Sequence, residues 1–573
     1  MQLTDSRRLT GPNLIWDHPG AVLEVQLGAG QTVAQVVEAW QGQITLVLEA
    51  LGLLVQCTHR AYPGGVSLAF AAPIDTLYAC LEINEWAFES ARRVLAGEGA
   101  SDLAESIDAL KTELHGERDT KLLALAEAAA GHKVHFCGDD EWTTLGMGAR
   151  GQTWDTPQLP NASDVDWAAL ADIPSAIITG TNGKTTTIRM LGAIVKAAGL
   201  VPGISSTDWI QVGDEMVDSG DWSGPGGARA ILKDKRVQVA LLETARGGLL
   251  RRGLGVNRVD VSVITNVAED HMGEMGVHCL ADLTEVKFIV RRASAHLVLS
   301  ADNPEVRRRG QEVAQPITWV SLDPQDELIV AHLAQGGKAA LLVNDGLVLC
   351  EGAQMQELLP AADIPLTLGG AARYNVTNAL CAAAAALQMG LPLQAVRRGL
   401  AEFESNPATN PGRLNEFQFG AMRALVDFAH NPHGLQATIE MVEALPCKRF
   451  VVLLGQAGDR DDHSIAELAR ITALANPDMV IVKAMEQASR GREQKVVTDL
   501  IDETLRANGL SEDRIRSAPS ELQAARDALT WARDGDLVLL LCHSERDAVL
   551  DLLAELKASD WRPGMGLEAA GDA

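Results

Sequence analysis

The sequence has 573 residues, a formal net charge of −27 and an apolar content of 47%. A chain of this length and hydrophobicity predicts about three or four folded domains and excludes global disorder. The negative charge argues against a nucleic-acid partner, because phosphate backbones bind to basic surfaces. No apolar run is long enough to span a membrane, no signal-peptide core is present, and the eight cysteines form no C-x-x-C pair. We therefore expect a cytoplasmic protein with reduced thiols.

Residues 1–150 predict a small α+β domain that carries no nucleotide-binding motif. Apolar residues alternate over 21–27, as they do in a strand, and 133–137 predicts a second strand. Apolar residues at helical spacing predict helices over 32–51, 74–95 and 102–130. Basic and turn-forming residues concentrate in segment 7–13, which indicates either an anion-binding loop or a solvated turn.

The central feature of the sequence is a glycine-rich turn that follows a linker at 151–173 and a short apolar strand. Its backbone N–H groups would hold phosphate oxygens, with Lys184 on the β- and γ-phosphates and Thr185 on Mg²⁺. The predicted nucleotide-binding residues of this loop are Gly180, Thr181, Asn182, Gly183, Lys184, Thr185 and Thr186. The full P-loop pattern would start with glycine at the position of Ile178, so a chance Gly-Lys-Thr at a helix start is the alternative.

Polar residues follow the next two predicted strands, at 237–242 and 261–264. Glu243 directly follows the first, and His271 lies shortly after the second. Because the carboxyl ends of parallel strands meet at one edge, Thr185, Glu243 and His271 are predicted to converge on Mg²⁺. Taken singly, Glu243 or His271 could equally be a helix cap or a buried hydrogen-bonded group.

Alternating strands and helices predict an α/β multidomain protein with two α/β domains after the small α+β domain. A central P-loop domain with a mostly parallel sheet covers 174–405, and a Rossmann-like carboxyl-terminal domain covers 416–573. A hinge rich in Asn and Pro joins them at 406–415. Strands of the last domain are predicted at 424–428, 449–454, 478–482 and 536–541.

Together these motifs resemble the Mur ligase superfamily. The shared elements are the Gly-Thr-Asn-Gly-Lys-Thr-Thr loop, Glu243, Asn266, Asp270-His271, the adenine-side segment 373–379, the hinge arginine Arg413 and the segment 427–432. The resemblance implies ATP-dependent amide formation through an acyl phosphate, with ATP and Mg²⁺ bound. It also implies catalytic roles for Lys184, Glu243, His271, Lys287 and Arg413, and nucleotide contacts from Asn375, Asn378 and Arg413.

Lys287 stands where some Mur ligases carry a carbamylated lysine that helps to hold a second Mg²⁺. The alternative is a lysine on a helix surface, since lysine side chains are usually exposed.

Within the superfamily, the stretches 221–253, 427–432 and 455–461 resemble the cyanophycin synthetases, as does 8–13. Those enzymes combine an amino-terminal domain, an ATP-grasp domain and a Mur-ligase-like module. Here about 25 residues separate the first region from the P-loop domain, so we expect the ATP-grasp domain to be absent. The remainder resembles the half that joins an amine, arginine in that family, to a side-chain carboxylate.

The predicted substrate contacts lie on two domains. Candidates for the acidic acceptor are Thr207, Asp208, Ser223, Gly224 and Arg246 on the central domain. Candidates for the amine are His430, Asn431, Asp459, Arg460 and Arg492 on the carboxyl-terminal domain. A carboxylate such as Asp459 would suit an arginine side chain.

Three functions remain open from the sequence. The first is an amide ligase that uses a small amine and an acidic acceptor, such as an aspartate-rich peptide or polymer. The second is a non-catalytic relative that binds ATP and polymer or a partner synthetase; the third is a P-loop kinase or ATPase. The presence of Lys184, Thr185, Glu243 and His271 favours the first. A homo-oligomer and a complex with a cyanophycin-type synthetase are both open.

Overall fold

The computed structural model describes residues 1–270 and 272–567, in which four β-sheets organise the chain. An antiparallel sheet, in the order β1-β2-β4-β3, packs against two long helices in the amino-terminal domain. Elements of this domain are β1 (Gln2–Leu9), β2 (Gly20–Gln26), α1 (Val33–Leu51), β3 (Cys57–Tyr62), β4 (Gly65–Ala71), α2 (Leu77–Leu95), α3 (Leu103–Glu117) and α4 (Thr120–His132). The sequence had predicted neither β1 nor the β3–β4 hairpin.

The helix expected over 102–130 is divided into α3 and α4. The first ends at Glu117, with Arg118 in an extended conformation. Asp119 caps the second, because its side chain accepts hydrogen bonds from the backbone N–H groups of Lys121 and Leu122. Asp side chains compete in this way with the helical ladder, so they favour helix starts over helix interiors.

A small second sheet lies between the first domain and the central one. It consists of β5 (Phe136–Gly138), β6 (Trp142–Leu145) and β7 (Gln152–Asp155). The segment predicted as a linker, 151–173, contains β7, and its Leu159, Val165 and Leu170 are buried with residues of α4. The segment is therefore packed along much of its length.

The central domain is built on an eleven-stranded sheet in the order β11-β10-β9-β12-β8-β13-β14-β15-β16-β17-β18. Its seven middle strands, from β9 to β16, run parallel, and antiparallel strands flank them on both sides. The strands are β8 (Ser175–Thr179), β9 (Pro202–Ser205), β10 (Trp209–Val212), β11 (Glu215–Ser219), β12 (Val239–Glu243), β13 (Val259–Ile264), β14 (Ser294–Ser300), β15 (Ile317–Ser321), β16 (Lys338–Val343), β17 (Gly346–Glu351) and β18 (Gln354–Pro360).

Helices cover both faces of this sheet. They are α5 (Lys184–Ala197), α6 (Pro225–Lys233), α7 (Arg246–Arg252), α8 (Leu280–Lys287), α9 (Pro304–Gly310), α10 (Glu327–Ala334), α11 (Arg373–Gln388) and α12 (Leu393–Glu402). The alanine-rich part of α11 is fully buried, because small side chains let this helix pack closely on the sheet. The strand that carries the glycine-rich loop, β8, lies inside the sheet between β12 and β13.

The carboxyl-terminal domain has a six-stranded sheet in the order β19-β20-β24-β21-β22-β23, parallel except for β19. Its elements are β19 (Asn415–Phe419), β20 (Met422–Asp427), α13 (Pro432–Glu443), β21 (Phe450–Leu454), α14 (Asp462–Leu474), β22 (Met479–Lys483), α15 (Gln494–Ala507), β23 (Ile515–Ala518), α16 (Glu521–Trp531), β24 (Leu537–Leu541) and α17 (Arg546–Ala558). The predicted α/β multidomain class is confirmed. Across the described residues, no helix has the length and apolar character needed to cross a membrane.

Candidate functional site

A cleft of about 1340 Å³ runs along the carboxyl ends of the central strands, and all three domains line it. The glycine-rich loop between β8 and α5 forms its floor. Gly180 and Gly183 have φ angles of 145° and 84°, which other residues rarely adopt. A Cβ atom at Gly180 would lie 2.0 Å from the Thr265 hydroxyl, and one at Gly183 would lie 2.3 Å from Oδ1 of Asn378. The loop thus packs so tightly that only glycine fits at both positions.

The strand end after β13 holds the loop in place. The backbone N–H of Thr181 donates to the carbonyl of Asn266, and that of Asn182 donates to Oδ1 of the same residue, both at 2.9 Å. The Nζ of Lys184 donates to the Thr181 carbonyl at 2.9 Å. Burial lowers the pKa of Lys184, and the nearby Glu243 carboxylate acts in the opposite direction. A buried ammonium group at a helix start is the arrangement that binds phosphate.

Two of the predicted metal ligands lie together at this edge. The Oγ1 of Thr185, in the first turn of α5, lies 3.2 Å from Oε1 of Glu243 and 3.2 Å from Oγ1 of Thr207. Glu243 is only 1% exposed, and its Oε2 has no hydrogen-bond partner among the described residues. Burial raises the pKa of this carboxyl above its usual range, while Lys184 opposes the shift. A buried carboxylate oxygen beside hydroxyl groups fits Mg²⁺, which prefers oxygen ligands.

The loop after β13 reaches the same edge through Asp270. This carboxylate pairs with Arg460 at 2.8 Å, and its other oxygen lies 3.6 Å from Nε2 of His430. His271, the third predicted metal ligand, lies outside the described residues. In 1–270 and 272–567, no cluster of three or more His, Cys, Asp or Glu side chains could hold a metal ion. The described chain thus offers Mg²⁺ few ligands, as is usual where a nucleotide supplies the others.

Lys287 lies at the end of α8, directly behind the glycine-rich loop. Its side chain is 3% exposed, and its Nζ donates to the carbonyl of Gly180 at 2.9 Å. The surface-lysine alternative is therefore wrong. Burial lowers the pKa of Lys287 well below the ordinary value, and the neighbouring Lys184 lowers it further. Both effects favour the neutral form of this side chain, which is the reactive form of an amine.

The two asparagines predicted on the adenine side lie in the first turns of α11. Both are buried, and Nδ2 of Asn378 donates to Oδ1 of Asn375 at 3.0 Å. Asn375 in turn donates to the carbonyl of Leu366 at 3.1 Å. Both residues line the cleft, and Asn378 is the side chain against which Gly183 packs. Asn378 therefore packs against the glycine-rich loop, and Asn375 holds the Asn378 side chain in place.

The hinge arginine faces the cleft at the boundary with the carboxyl-terminal domain. The Arg413 guanidinium lies over the Phe428 ring, 4.2 Å from its centroid. Its Nη1 is buried and has no hydrogen-bond partner among the described residues. The adjacent Leu414 N–H donates to Asp427 at 2.9 Å, which ties the hinge to the end of β20. A guanidinium held on an aromatic ring with a donor to spare can receive an anion.

An amide pair joins the glycine-rich loop to the carboxyl-terminal domain. The Nδ2 of Asn182 donates to Oδ1 of Asn431 at 3.1 Å, and Nδ2 of Asn431 donates to Oδ1 of Asn182 at 3.0 Å. The Asn431 oxygen also caps α13 through the N–H of Gly434. Asn182 therefore lies between the two domains, although the sequence indicated only a phosphate-loop residue.

An ion-pair network makes a second contact between these domains. Asp208 pairs with Arg189 of α5 at 2.7 Å and with Arg546 of α17 at 2.9 Å. Arg189 also donates to Asn410 in the hinge at 3.1 Å. Sequence reasoning missed Arg189 and Arg546, because neither belongs to a recognisable motif and their partner is distant in the chain. Asp208, an acceptor candidate, has both carboxylate oxygens engaged.

The remaining amine-side candidates take part in local ion pairs. Asp459 pairs with Arg490 at 2.6 Å, and Arg492 pairs with Asp462 at 2.7 Å. Arg460 reaches across the cleft to Asp270 of the central domain. Of these side chains, Asp459 lines the cleft, together with His430 on the adjacent loop.

The remaining acceptor-side candidates lie around the start of α7. Ser223 donates to Asp221 at 2.6 Å, and Gly224 allows its backbone to approach Gly248, where an added Cβ would lie 3.0 Å from the Gly224 Cα. Arg246, the first residue of α7, pairs with Glu274. These residues line the end of the cleft nearest the amino-terminal domain.

The basic segment 7–13 docks the amino-terminal domain onto α7. Arg7 is buried, pairs with Glu24 and donates to the carbonyl of Leu250 at 2.9 Å. The Thr10 N–H donates to the Arg252 carbonyl at 2.9 Å. Arg7 therefore serves the domain interface, while Asp5, Ser6 and Arg7 line the adjoining end of the cleft.

The fold and the site define a three-domain P-loop protein with one shared cleft. The sequence matches the Mur ligase middle domain over residues 178–386 and the Mur ligase glutamate ligase domain over residues 412–542. These two domains make up more than half of the chain. This protein therefore belongs to the Mur ligase family, whose members are ATP-dependent ligases.

The chain is similar both to cyanophycin synthetases and to a ligase that is named for a UDP-N-acetylmuramyl peptide. Cyanophycin synthetase of Crocosphaera subtropica is 36% identical over 380 residues, which are 66% of this chain and 43% of that protein. UDP-N-acetylmuramyl-tripeptide synthetase of Deinococcus radiodurans is 28% identical over 436 residues, 71% of this chain and 82% of that protein. The chain thus spans less than half the length of the cyanophycin synthetase that it matches.

Among solved structures, E. coli FolC in complex with ADP has a similar fold. The TM-score is 0.50 at 21% sequence identity, over 67% of this chain and 90% of FolC. This similarity shows a common fold for the central and carboxyl-terminal domains.

Proposed function

We propose that this protein is an ATP-dependent amide ligase that joins an amine to a carboxylate of an acidic acceptor. The amine is an amino acid such as arginine, and the reaction releases ADP and phosphate. One observation carries the proposal: the unpartnered Glu243 oxygen and the Thr185 hydroxyl lie beside Lys184, in a cleft whose opposite wall belongs to another domain. Such a site suits transfer of a phosphoryl group to a substrate that is then attacked from across the cleft.

In this proposal the central domain binds ATP and the metal. Lys184 and the loop N–H groups hold the phosphates, with Asn375 and Asn378 towards the base, while Thr185, Glu243 and His271 hold Mg²⁺. When bound, Mg²⁺ neutralises phosphate charge and orients the γ-phosphate for attack by the acceptor carboxylate. Two anions must approach each other, so catalysis depends on positive charge and positioning.

Two further side chains of this protein take part in the proposal, one as a cation and one as a candidate metal ligand. Arg413 offers its spare Nη1 to the phosphoryl group and to the acyl phosphate that forms on the acceptor. Lys287, whose neutral fraction is raised by burial, is a candidate for carbamylation, which would turn it into a carboxylate ligand for a second Mg²⁺. Both groups lie within the cleft lining.

We place the acceptor between α7 and the amino-terminal domain. Thr207, Ser223, Gly224 and Arg246 line this part of the cleft, and Arg246 is a cation that a carboxylate-rich chain would approach. We propose that Asp208 joins the central and carboxyl-terminal domains and does not bind the acceptor, because each of its carboxylate oxygens already pairs with an arginine.

We place the amine on the carboxyl-terminal wall. His430 and Asp459 line the cleft there, and Asn431 ties this wall to the glycine-rich loop. Asp459 would pair with a guanidinium in exchange for Arg490, while Arg460 and Arg492 would hold the carboxylate of the amino acid. Docking of the two walls would shield the acyl phosphate from water.

The proposal is tested by incubating the pure protein with ATP, Mg²⁺, a short acidic primer and single amines. We expect amine-dependent release of ADP and phosphate, with one ligation per acceptor carboxylate. Sustained growth of an aspartate–arginine polymer from free aspartate and arginine would show a second ligase activity and contradict the proposal. Binding of ATP and polymer without turnover would favour an accessory role, and amine-independent phosphate release would favour an ATPase.

A further inference from the structure

A buried polar network in the carboxyl-terminal domain lies behind loop 428–431, which contacts the glycine-rich loop through Asn431. Lys483, at the end of β22, and Glu521, at the start of α16, form an ion pair in which both side chains are 0% exposed. The Lys483 ammonium also donates to the carbonyl of Leu541 and lies 3.3 Å from Nδ1 of His543. Burying two charges is costly unless their hydrogen bonds are satisfied, so a buried ion pair contributes little net stability, and its value here lies in the groups that it orients.

The network fixes the turn that follows β24. The carboxylate of Glu521 accepts hydrogen bonds from the backbone N–H of His543 at 2.8 Å and from that of Glu545 at 2.9 Å. In the opposite direction, the Glu545 carboxylate accepts a hydrogen bond from the backbone N–H of Leu522, next to Glu521, at 2.9 Å. The turn between β24 and α17 is therefore held from both ends by one buried carboxylate.

The network also fixes the protonation of His543. Because the Lys483 ammonium can only donate, Nδ1 of His543 must accept, which leaves the ring proton on Nε2. That Nε2 lies 3.1 Å from the carbonyl of Ala429, to which it donates. Burial lowers the pKa of His543 well below its ordinary value, and Lys483 lowers it further, in agreement with a neutral ring.

Ala429 belongs to the loop that bears the proposed amine-side residues. His430 and Asn431 follow it directly, and Asn431 makes the amide pair with Asn182 of the glycine-rich loop. The His543 ring also contacts Phe428 edge-on, with centroids 5.1 Å apart, and Phe428 supports the Arg413 guanidinium on its face. One imidazole thus contacts two adjacent residues, Phe428 and Ala429, of a loop that lines the cleft.

We infer that His543, oriented by the buried Lys483–Glu521 pair, is a positioning residue that presents loop 428–431 to the phosphate-binding loop. This inference rests on the proposed ligase function for its kinetic consequence, while its structural consequence is independent of that function. His543 acts through Ala429 and Phe428; it is not proposed to touch substrate.

The test compares two substitutions that each keep one half of the imidazole. His543→Gln retains an N–H donor near the Nε2 position and can still reach the Ala429 carbonyl. His543→Asn retains an acceptor near the Nδ1 position and keeps the contact with Lys483, but it cannot reach Ala429. His296, a half-buried histidine of β14 whose Nε2 lies 2.9 Å from the Thr318 hydroxyl, supplies the matched controls His296→Gln and His296→Asn.

Two readouts are measured on the full chain: hydrogen–deuterium exchange, and ADP release as a function of amine concentration. We expect His543→Asn to speed exchange at 428–431 and also at 181–185 across the interface, and to lower kcat/KM for the amine at least tenfold. We expect His543→Gln to stay within about threefold of wild type in both readouts, and ADP affinity to be unchanged in both variants. A merely structural role would affect the two variants alike.

A second variant covers the case in which His543→Asn is unstable. Asn431→Ser keeps a side-chain oxygen to cap α13 but loses the reach to Asn182, and it leaves the buried network intact. It should reproduce the faster exchange at 181–185, whereas His543→Gln should leave the exchange of that segment as in wild type.

Equal behaviour of the Asn and Gln variants of His543, or unchanged exchange at 181–185, would overturn the inference. If the wild-type protein shows no amine-dependent turnover, the proposed function fails, while the exchange data still decide the role of His543.

Discussion

The ion pair between Asp208 and Arg546 gives the sharpest test of domain docking. Arg546→Ala removes one charge-assisted hydrogen bond, 2.9 Å long, between side chains that are 9% and 19% exposed. Such bonds contribute about 1.5–3 kcal/mol. Asp208 keeps Arg189 at 2.7 Å, so the larger cost of an orphaned buried charge does not apply.

A loss of this size shifts the balance between docked and undocked domains by about 10- to 150-fold. In the proposed reaction the amine-binding wall docks before the amide bond forms, so we expect KM for the amine to rise by up to that factor. ADP affinity should change less than about twofold, since the proposed nucleotide contacts lie on the central domain. Arg470→Ala, which removes a surface pair with Glu467 in the same domain, is the matched control.

The same pair predicts a pH dependence with a definite sign. Burial opposes ionisation of Asp208, but Arg413, Arg189 and Arg546 outweigh it and lower the pKa of this carboxyl. Its stabilising contribution is therefore complete above the unfolded pKa of about 3.9 and is lost as the pH falls through the folded pKa. The difference in docking between wild type and Asp208→Asn should be constant near neutral pH and shrink below about pH 4.

The assays are ADP release against amine concentration, calorimetric titration of ADP, and small-angle scattering with nucleotide, acceptor and amine together. A double-mutant cycle with Asp208→Asn should give a coupling of about 1–3 kcal/mol. An amine KM for Arg546→Ala that equals that of Arg470→Ala, together with unchanged compaction, would refute the assignment.

Three further outcomes are expected. Lys184→Ala should lower ADP formation on the order of 10²–10³-fold while circular dichroism and thermal unfolding stay unchanged; wild-type rates in the folded variant would contradict the phosphate role. Glu243→Gln and His271→Ala should each raise the Mg²⁺ concentration needed for the half-maximal rate, because each removes a proposed ligand. A variant whose Mg²⁺ titration superimposes on that of wild type would show that the replaced residue is not a metal ligand. Lys287→Met should lower turnover, and bicarbonate should raise the wild-type rate without affecting the variant. A wild-type rate that does not change with bicarbonate would contradict carbamylation of Lys287.

The sequence alone determined the class of the fold and predicted the glycine-rich half of the candidate site. Glycine at 180 and 183, a lysine and two threonines at a helix start, and apolar strands before them are local features, readable because backbone conformation there depends on neighbouring residues. Glu243 was predictable for a related reason: the carboxyl ends of parallel strands share one edge. Strands with mixed patterns, such as β1, the β3–β4 hairpin and β15 to β18, were not predicted, because their pairing partners create their burial.

Only the tertiary structure decided how the domains meet. The Asn182–Asn431 pair and the Arg189–Asp208–Arg546 network join residues that are distant in sequence, and no local pattern marks a contact of that kind. The burial of individual side chains was likewise decided by the tertiary structure. From the sequence, Lys287 could be either a surface lysine or a lysine of the site, and its 3% exposure results from the packing of α8 behind the glycine-rich loop. Side-chain type and spacing follow from sequence, whereas exposure, pKa and contacts across domains follow from the packing of the whole chain.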